Sequence, residues 1–329
     1  MSATGSRVAP GFSSHTARVS SVPIVTVAIL NYQGMDILRA TLRYVLAQHY
    51  DALEVVVVDN GSSDGSVRMV SEEFPAVRVV SLPGNVGCGA RNAGLAEAKG
   101  TFVVTLDNDV LLISPDAIST IVDTFNSRPS VACINFKIVN ARSQVSGRDW
   151  CHPRDLARYA DEEFLTDAIL EGACAFRREV FQRVGGYWEP LFLGLEGPDL
   201  VLRLVDDGHD VLYSPAVIVR HLGAEALPSP RIYYLWPRNS IWIALRHHRP
   251  REALGSIAKE LALMGFAAAR ARCCRAYLRG ALDGLLGAPC ALHTRRTLAP
   301  STYERLREIR ALSPSLLAKA KRHWRERLL

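Results

Sequence analysis

From Val22 onward the chain alternates short β-branched runs with stretches of helical periodicity, and no other feature restricts its fold as tightly. The runs are VPIVTVAIL, LEVVVVD, VRVVSL and TFVVTLD, with helices expected near residues 36–48, 65–73 and 88–98 between them. That order is βαβαβαβ. Each run is apolar on both of its faces and therefore needs cover on both sides, which parallel strands joined by crossover helices provide. The expected class is α/β: a Rossmann-like, mostly parallel mixed sheet with helices on both faces. Ligands of such sheets bind beyond the carboxyl ends of the strands. The polar clusters fall there: Asn31 after the first run, Asp59-Asn60-Gly61-Ser62-Ser63-Asp64 after the second, Asn85-Val86-Gly87 after the third and Asp107-Asn108-Asp109 after the fourth.

Residues 128–225 are less regular, with strands near 131–139, 169–176 and 210–220 and a helix from about Pro198, and read as a mixed-sheet completion of the same domain. After Pro230 the pattern turns to helices at about 231–248, 250–286, 301–311 and 314–328, punctuated by Gly287-Ala288-Pro289 and Ser313-Pro314. Three regions are expected: a loose tail over 1–21, the α/β domain over 22–228 and a C-terminal helical extension over 229–329.

With 329 residues, 48% of them hydrophobic, the chain can bury a full core. The tail has no apolar h-region and does not read as a signal peptide. The longest apolar stretch near the C-terminus, Leu261 to Ala269, falls far short of the ~18 residues of a membrane span. Seven scattered cysteines (88, 133, 151, 174, 273, 274 and 290), without a Cys-x-x-Cys pair, suggest reduced thiols and a cytoplasmic setting. The net charge of +6 is uneven: residues 270–329 carry +10, leaving −4 for the rest. No zinc-finger, RNP or homeodomain signature accompanies the basic tail, which argues against nucleic acid. The helix from Pro314 sets Leu316, Leu317, Ala320, Trp324 and Leu328 on one side against Lys319, Lys321, Arg322, Arg325 and Arg327. Through residues 313–329 the protein is expected to touch the inner face of an anionic membrane peripherally, unless the stripe packs on its own domain.

Two carboxylates two residues apart at a strand end, Asp107 and Asp109, can share a hard cation, Mg²⁺ or Mn²⁺, with diphosphate oxygens completing the shell. An Asp-rich turn closing a strand is the competing reading. Asp59 is placed to accept from a base N–H or a ribose hydroxyl, whereas Asp64 reads as a helix N-cap. The stretch Asn85-Val86-Gly87-Cys88-Gly89-Ala90-Arg91 puts small residues and an arginine at a helix start, suited to close approach of a phosphate.

These pieces in this order resemble the inverting glycosyltransferase family 2, closest to its rhamnosyltransferase-like bacterial branch. The carriers run from Val22 to Gly223: VTVAILNY, EVVVVDNGSSDGS, NVGCGARNAG, TLDNDV, Gly172-Ala173 with RREVFQRVGGY, and LFLGLEGPDLVLRLVDDGHDVLYSPAVIVRHLG. The resemblance implies a GT-A fold, a nucleotide-sugar donor (dTDP-rhamnose or a UDP-hexose), inversion at the anomeric carbon and a divalent metal. By matching position it implies Asp59 at the nucleoside, Asp107 and Asp109 at the ribose and metal, and His221 at the metal or diphosphate, with Asn31, Asn85, Gly87 and Arg91 lining the donor site. The acceptor would be a glycan, a lipid-linked sugar or a small molecule, in surface-glycan, glycolipid or secondary-metabolite synthesis.

One position departs from the family. Where most members carry Glu-Asp-x-Asp this chain has Glu196-Gly197-Pro198-Asp199, so the acid usually assigned as base is a glycine here. Glu196 and Asp199 are the replacement candidates. Asp199 falls in the first turn of a helix after Pro198, where the helix dipole lowers its basicity, and Glu196 is therefore favoured. The missing acid also admits a non-catalytic nucleotide-sugar-binding protein. A nucleotidyltransferase would open with a Gly-rich loop where this chain reads Leu30-Asn31-Tyr32-Gln33-Gly34, and an NAD-dependent enzyme would need its glycines after the first strand.

Overall fold

The computed structural model describes residues 22–145, 147, 149–223 and 230–314. The strands are β1 (Val25–Asn31), β2 (Leu53–Asp59), β3 (Arg78–Ser81), β4 (Phe102–Asp107), β5 (Val110–Leu112), β6 (Val131–Val139), β7 (Phe164–Leu165), β8 (Ala173–Arg177) and β9 (Asp210–His221). The helices are α1 (Met35–Leu46), α2 (Ser66–Glu73), α3 (Gly89–Glu97), α4 (Ala117–Ser127), α5 (Leu156–Tyr159), α6 (Arg178–Val184), α7 (Glu196–Asp206), α8 (Ile232–His247), α9 (Pro250–Arg270), α10 (Cys274–Leu286), α11 (Ala288–His293) and α12 (Pro300–Arg310).

All nine strands form one sheet in the order β3-β2-β1-β4-β8-β6-β9-β5, with β7 beside β9. The first four are parallel; β8 runs antiparallel between β4 and β6. Period-two alternation sends side chains to two cores. Val25, Val27 and Ile29 with Val104, Leu106 and Ala175 meet α1 and α4 on one face, while Ala28, Val103, Cys174 and Phe176 meet α6 and α7 on the other. The mixed α/β sheet covered on both faces is thus the expected one.

Local differences have local causes. The strand expected from 169 starts at Ala173, because Ala173 N–H bonds back to the carbonyl of Leu170 and closes a turn. The helix expected from Pro198 begins at Glu196, after Leu195 in the left-handed region. The stretch 250–286 is two helices, broken at Arg272 with φ +57°. α4 and the short β5 and β7 had no expected counterpart. The extension is not a separate layer: Ile241, Trp242, Ala291, Leu298 and Leu306 lie in the same core cluster as Leu200 and Leu204 of α7. Among the described residues no helix is long and apolar enough to cross a membrane, and all seven cysteines are free. The amphipathic helix expected over 314–328, and the membrane contact assigned to 313–329, lie outside the described residues beyond Pro314.

Candidate active site

The carboxyl edge of the parallel strands is tied together by side-chain amides. Asn31, fully buried at the end of β1, donates to Asp59 Oδ1 at 2.8 Å and accepts from Asn108 Nδ2 at 2.8 Å. The other oxygen of Asp59 accepts from the N–H of Ser62 at 2.8 Å, and only 2% of Asp59 is exposed. These two residues, expected to touch the donor, hold three strand-end loops in register. Asn85 is engaged likewise: its Oδ1 accepts from Asn60 Nδ2 and from the N–H of Gly87. Gly87 has φ +66°, and a Cβ there would overlap the carbonyl of Phe192, so the loop after β3 is pressed against the loop before α7. Asp64 accepts from the N–H groups of Met35 and Ser66 at the starts of α1 and α2, but it is not itself an N-cap: those positions are Gly34 and Gly65.

Asp107 and Asp109 face different partners. Asp107 pairs with Arg91, a buried guanidinium on α3 whose Nε and Nη1 have no other hydrogen-bond partner. Burial alone would lower the pKa of Arg91, but the charge of Asp107 more than reverses this and keeps it firmly cationic. Asp109 precedes β5, which pairs antiparallel with β9 so that Val110 lies opposite His221. His221 Nε2 thereby stands 3.4 Å from Asp109 Oδ2, and its Nδ1 stands 3.4 Å from Asp149 Oδ1. Burial would lower the pKa of His221, yet the two carboxylates outweigh it and raise it to about 10. Asp149 carried no sequence signal: it sits in an irregular loop and meets His221 only through the tertiary fold.

Among the described residues no set of three or more His, Cys, Asp or Glu side chains is gathered around a metal position. Of the three expected ligands, Asp109 and His221 are brought together, whereas one oxygen of Asp107 is committed to Arg91. One carboxylate and one imidazole leave positions for phosphate oxygens; the carboxylate and phosphates are ligands of the kind Mn²⁺ and Mg²⁺ take, and the imidazole favours a transition metal over Mg²⁺.

The two candidate bases part company. Asp199 is fully buried, with Oδ2 bonded by Arg203 at 3.1 and 2.6 Å and Oδ1 accepting from Arg246 and lying 2.7 Å from His247 Nε2. Burial would raise its pKa, but Arg203, His247 and Arg246 override it and hold the carboxyl well below the usual range. Asp199 is a structural counter-ion in this network, with no oxygen turned to the cleft. Glu196 opens α7 within electrostatic reach of Arg91 and Asp107, 5% exposed, and its buried Oε2 has no hydrogen-bond partner. Burial raises its pKa, with Arg91 opposing. The loop that delivers it bends sharply, with Phe192, Gly194 and Leu195 all at positive φ. Glu171, in the turn before β8, is a further carboxylate of this floor that the sequence reading passed over.

Residues 26–185 match the family model described as Glycosyl transferase family 2. The succinoglycan biosynthesis protein ExoO of Rhizobium meliloti is 30% identical over 179 residues, 53% of this chain and 49% of its own. The glucosyl-dolichyl phosphate glucuronosyltransferase of Haloferax volcanii is 28% identical over 184 residues, 51% of this chain and 55% of its own. The chain thus spans about half the length of these curated relatives. Among solved structures, the mannosyltransferase PcManGT from Pyrobaculum calidifontis, in complex with GDP-Man and Mn²⁺, superimposes with a TM-score of 0.53 at 23% identity, covering 92% of this chain and 87% of that one. Residues 1–349 of S. aureus TarS give 0.53 at 17% identity over 75% and 73%. The shared architecture is the GT-A fold. The segment from residue 26 to 185, just under half of the chain, is thus similar to glycosyl transferase family 2.

Proposed function

We propose that the protein is a metal-dependent inverting glycosyltransferase that moves a sugar from a nucleoside diphosphate to an acceptor hydroxyl. The observation that carries this reading is the convergence, at one sheet edge, of Asp109 with His221 on one side and of Arg91, Asp107 and Glu196 on the other. In this reading Asp109 and His221 hold Mn²⁺ or Mg²⁺. When bound, the cation relieves charge on the leaving diphosphate. Asp59 and Asn31 shape the floor beneath the nucleoside, and the buried Arg91 holds Asp107 in place beside the donor. Of the two base candidates offered by the sequence, Asp199 has both oxygens committed to its ion network, whereas Glu196 keeps an oxygen without a hydrogen-bond partner at the α7 start. A carboxylate that deprotonates the acceptor contributes ~10²–10⁴-fold.

PcManGT with GDP-Man and Mn²⁺, and GalNAc-T7 with UDP, GalNAc and Mn²⁺, share the fold and support a nucleotide-sugar donor with a divalent metal. ExoO, named for succinoglycan biosynthesis, supports a glycan or lipid-linked acceptor in surface-polysaccharide synthesis. The donor is proposed to be dTDP-rhamnose or a UDP-hexose. The experiment is donor turnover with Mn²⁺, with and without candidate acceptors. Release of UDP or dTDP that rises with an acceptor supports a transferase, whereas binding of the donor without turnover under any acceptor leaves a nucleotide-sugar-binding protein.

A further inference from the structure

Gly197, the second residue of α7, leaves a space beside the cleft that another residue fills. A Cβ at 197 would overlap Oε1 of Glu171 and the carbonyl oxygen of Ile169. The carboxylate of Glu171 therefore lies where a short side chain on residue 197 would project, against the first turn of α7, whose dipole favours negative charge. Its backbone is fixed to the end of β4. Thr105 Oγ1 donates to the Glu171 carbonyl at 2.6 Å, the N–H of Asp107 donates to the carbonyl of Gly172 at 3.1 Å, and a Cβ on Gly172 would collide with Asp107. The strand end that carries the Asp-x-Asp thus also aims Glu171 at the α7 start.

Glu196 opens the same helical turn, and the two carboxyls sense each other. Burial, then the charge of Glu196, pushes Glu171 well above the ordinary glutamate range. Two carboxyls in this relation titrate as a pair and readily hold one proton between them. They differ little in exposure: Glu196 is 5% exposed, and Glu171 as a whole residue is somewhat more so.

We propose that Glu171 is the catalytic base, restoring from β8's entry turn the carboxylate that Gly197 lacks, with Glu196 as its positioning partner. This assignment rests on the glycosyltransferase reading above and replaces Glu196 in the base role. With the pair's one proton on Glu196, the proton of the acceptor hydroxyl passes to an ionised Glu171 oxygen as the acceptor oxygen bonds to the anomeric carbon. The bond from that carbon to the diphosphate oxygen breaks with both electrons leaving on the diphosphate.

Hydrolysis of UDP-glucose and dTDP-rhamnose with Mn²⁺ tests this, because water then serves as acceptor. In Glu171→Gln, kcat should fall by about 100-fold or more while the Kd for UDP with Mn²⁺ stays within about threefold; Glu196→Gln should lose less than about tenfold in kcat. Should Glu171→Gln fold poorly, Glu171→Ala with added formate is the second variant: a free carboxylate in the vacated space should recover at least about tenfold. Near wild-type turnover in Glu171→Gln, a dead Glu196→Gln with UDP still bound, or a folded Glu171→Ala that formate does not rescue overturns the assignment alone. A wild-type chain that binds UDP and turns over neither donor, with water or with any added acceptor, overturns the transferase reading, and this assignment with it.

Discussion

Asn239 of α8 donates its side-chain amide to the carbonyl of Gly194 at 2.7 Å, tying the helical extension to the loop that presents Glu196. The same amide also reaches the carbonyls of Leu191 and Leu193 at 3.0 and 3.1 Å, and neighbouring Arg238 Nη2 bonds Leu191 O at 2.7 Å. Residues held at positive φ persist only where their surroundings over-determine them, and α8 supplies that constraint to Phe192 and Leu195. Asn239→Leu would leave the part-buried carbonyls of Leu193 and Gly194 without this donor. It should cost about 1–3 kcal/mol in urea unfolding and lower kcat more than it weakens donor binding.

Asp199, itself fully buried, neutralises the nearly buried Arg203 and Arg246. Removing one partner of a buried ion network leaves uncompensated charge, so Asp199→Asn should lose about 3–5 kcal/mol of stability. Chemical denaturation measures this. Because no Asp199 oxygen faces the cleft, the folded fraction should still bind UDP with Mn²⁺; full stability with abolished turnover would return Asp199 to the chemistry.

His221 links metal binding to pH. With its pKa raised to about 10 between Asp109 and Asp149, it is protonated at neutral pH, and a cation at Asp109 and His221 must displace that proton. Mn²⁺ affinity in the presence of UDP should therefore rise with pH, by up to about tenfold per unit below the pKa. Calorimetry in two buffers of different ionisation enthalpy should find close to one proton released. Asp149→Asn removes one of the two stabilising carboxylates and should flatten the dependence.

His152 gives a stability signal of the opposite kind. Buried against Trp150 and Tyr213, with Nδ1 2.9 Å from Thr166 Oγ1, it has its pKa lowered to about 3 by burial. The unfolded chain binds this proton near pH 6.5 and the folded chain does not, so the stability is present above pH 6.5 and is lost as pH falls towards 3. The slope is about 1.4 kcal/mol per unit. Urea unfolding at pH 7 and pH 5 should differ by about 2 kcal/mol from this group, and the difference should shrink by that amount in His152→Phe.

The parallel half of the fold was readable because β-branched runs and crossover helices leave one arrangement open, and the polar strand ends then point to one edge. What escaped depends on contacts distant in sequence. Asp149 has no motif of its own and acquires meaning only when β5 and β9 bring Asp109 beside His221. Glu171 reads as an ordinary turn residue until Gly197, 26 positions later, is seen to leave room for it. Asn31, Asp59 and Asn85 were placed correctly at the edge, but composition does not tell an amide that meets a ligand from one that ties loops together. The break between α9 and α10 falls at Arg272, which carries no Gly or Pro signal.

The most direct test of the central claim is thermal unfolding of the wild-type chain and Asp109→Ala with UDP, dTDP and GDP, each with Mn²⁺ or with excess chelator. A nucleoside diphosphate at 100 times its Kd should stabilise the wild type by about 2.7 kcal/mol only with Mn²⁺, and the stabilisation should vanish in Asp109→Ala. Equal stabilisation in chelator, or none from any of the three nucleotides, would contradict a metal-dependent nucleotide-sugar site at this sheet edge.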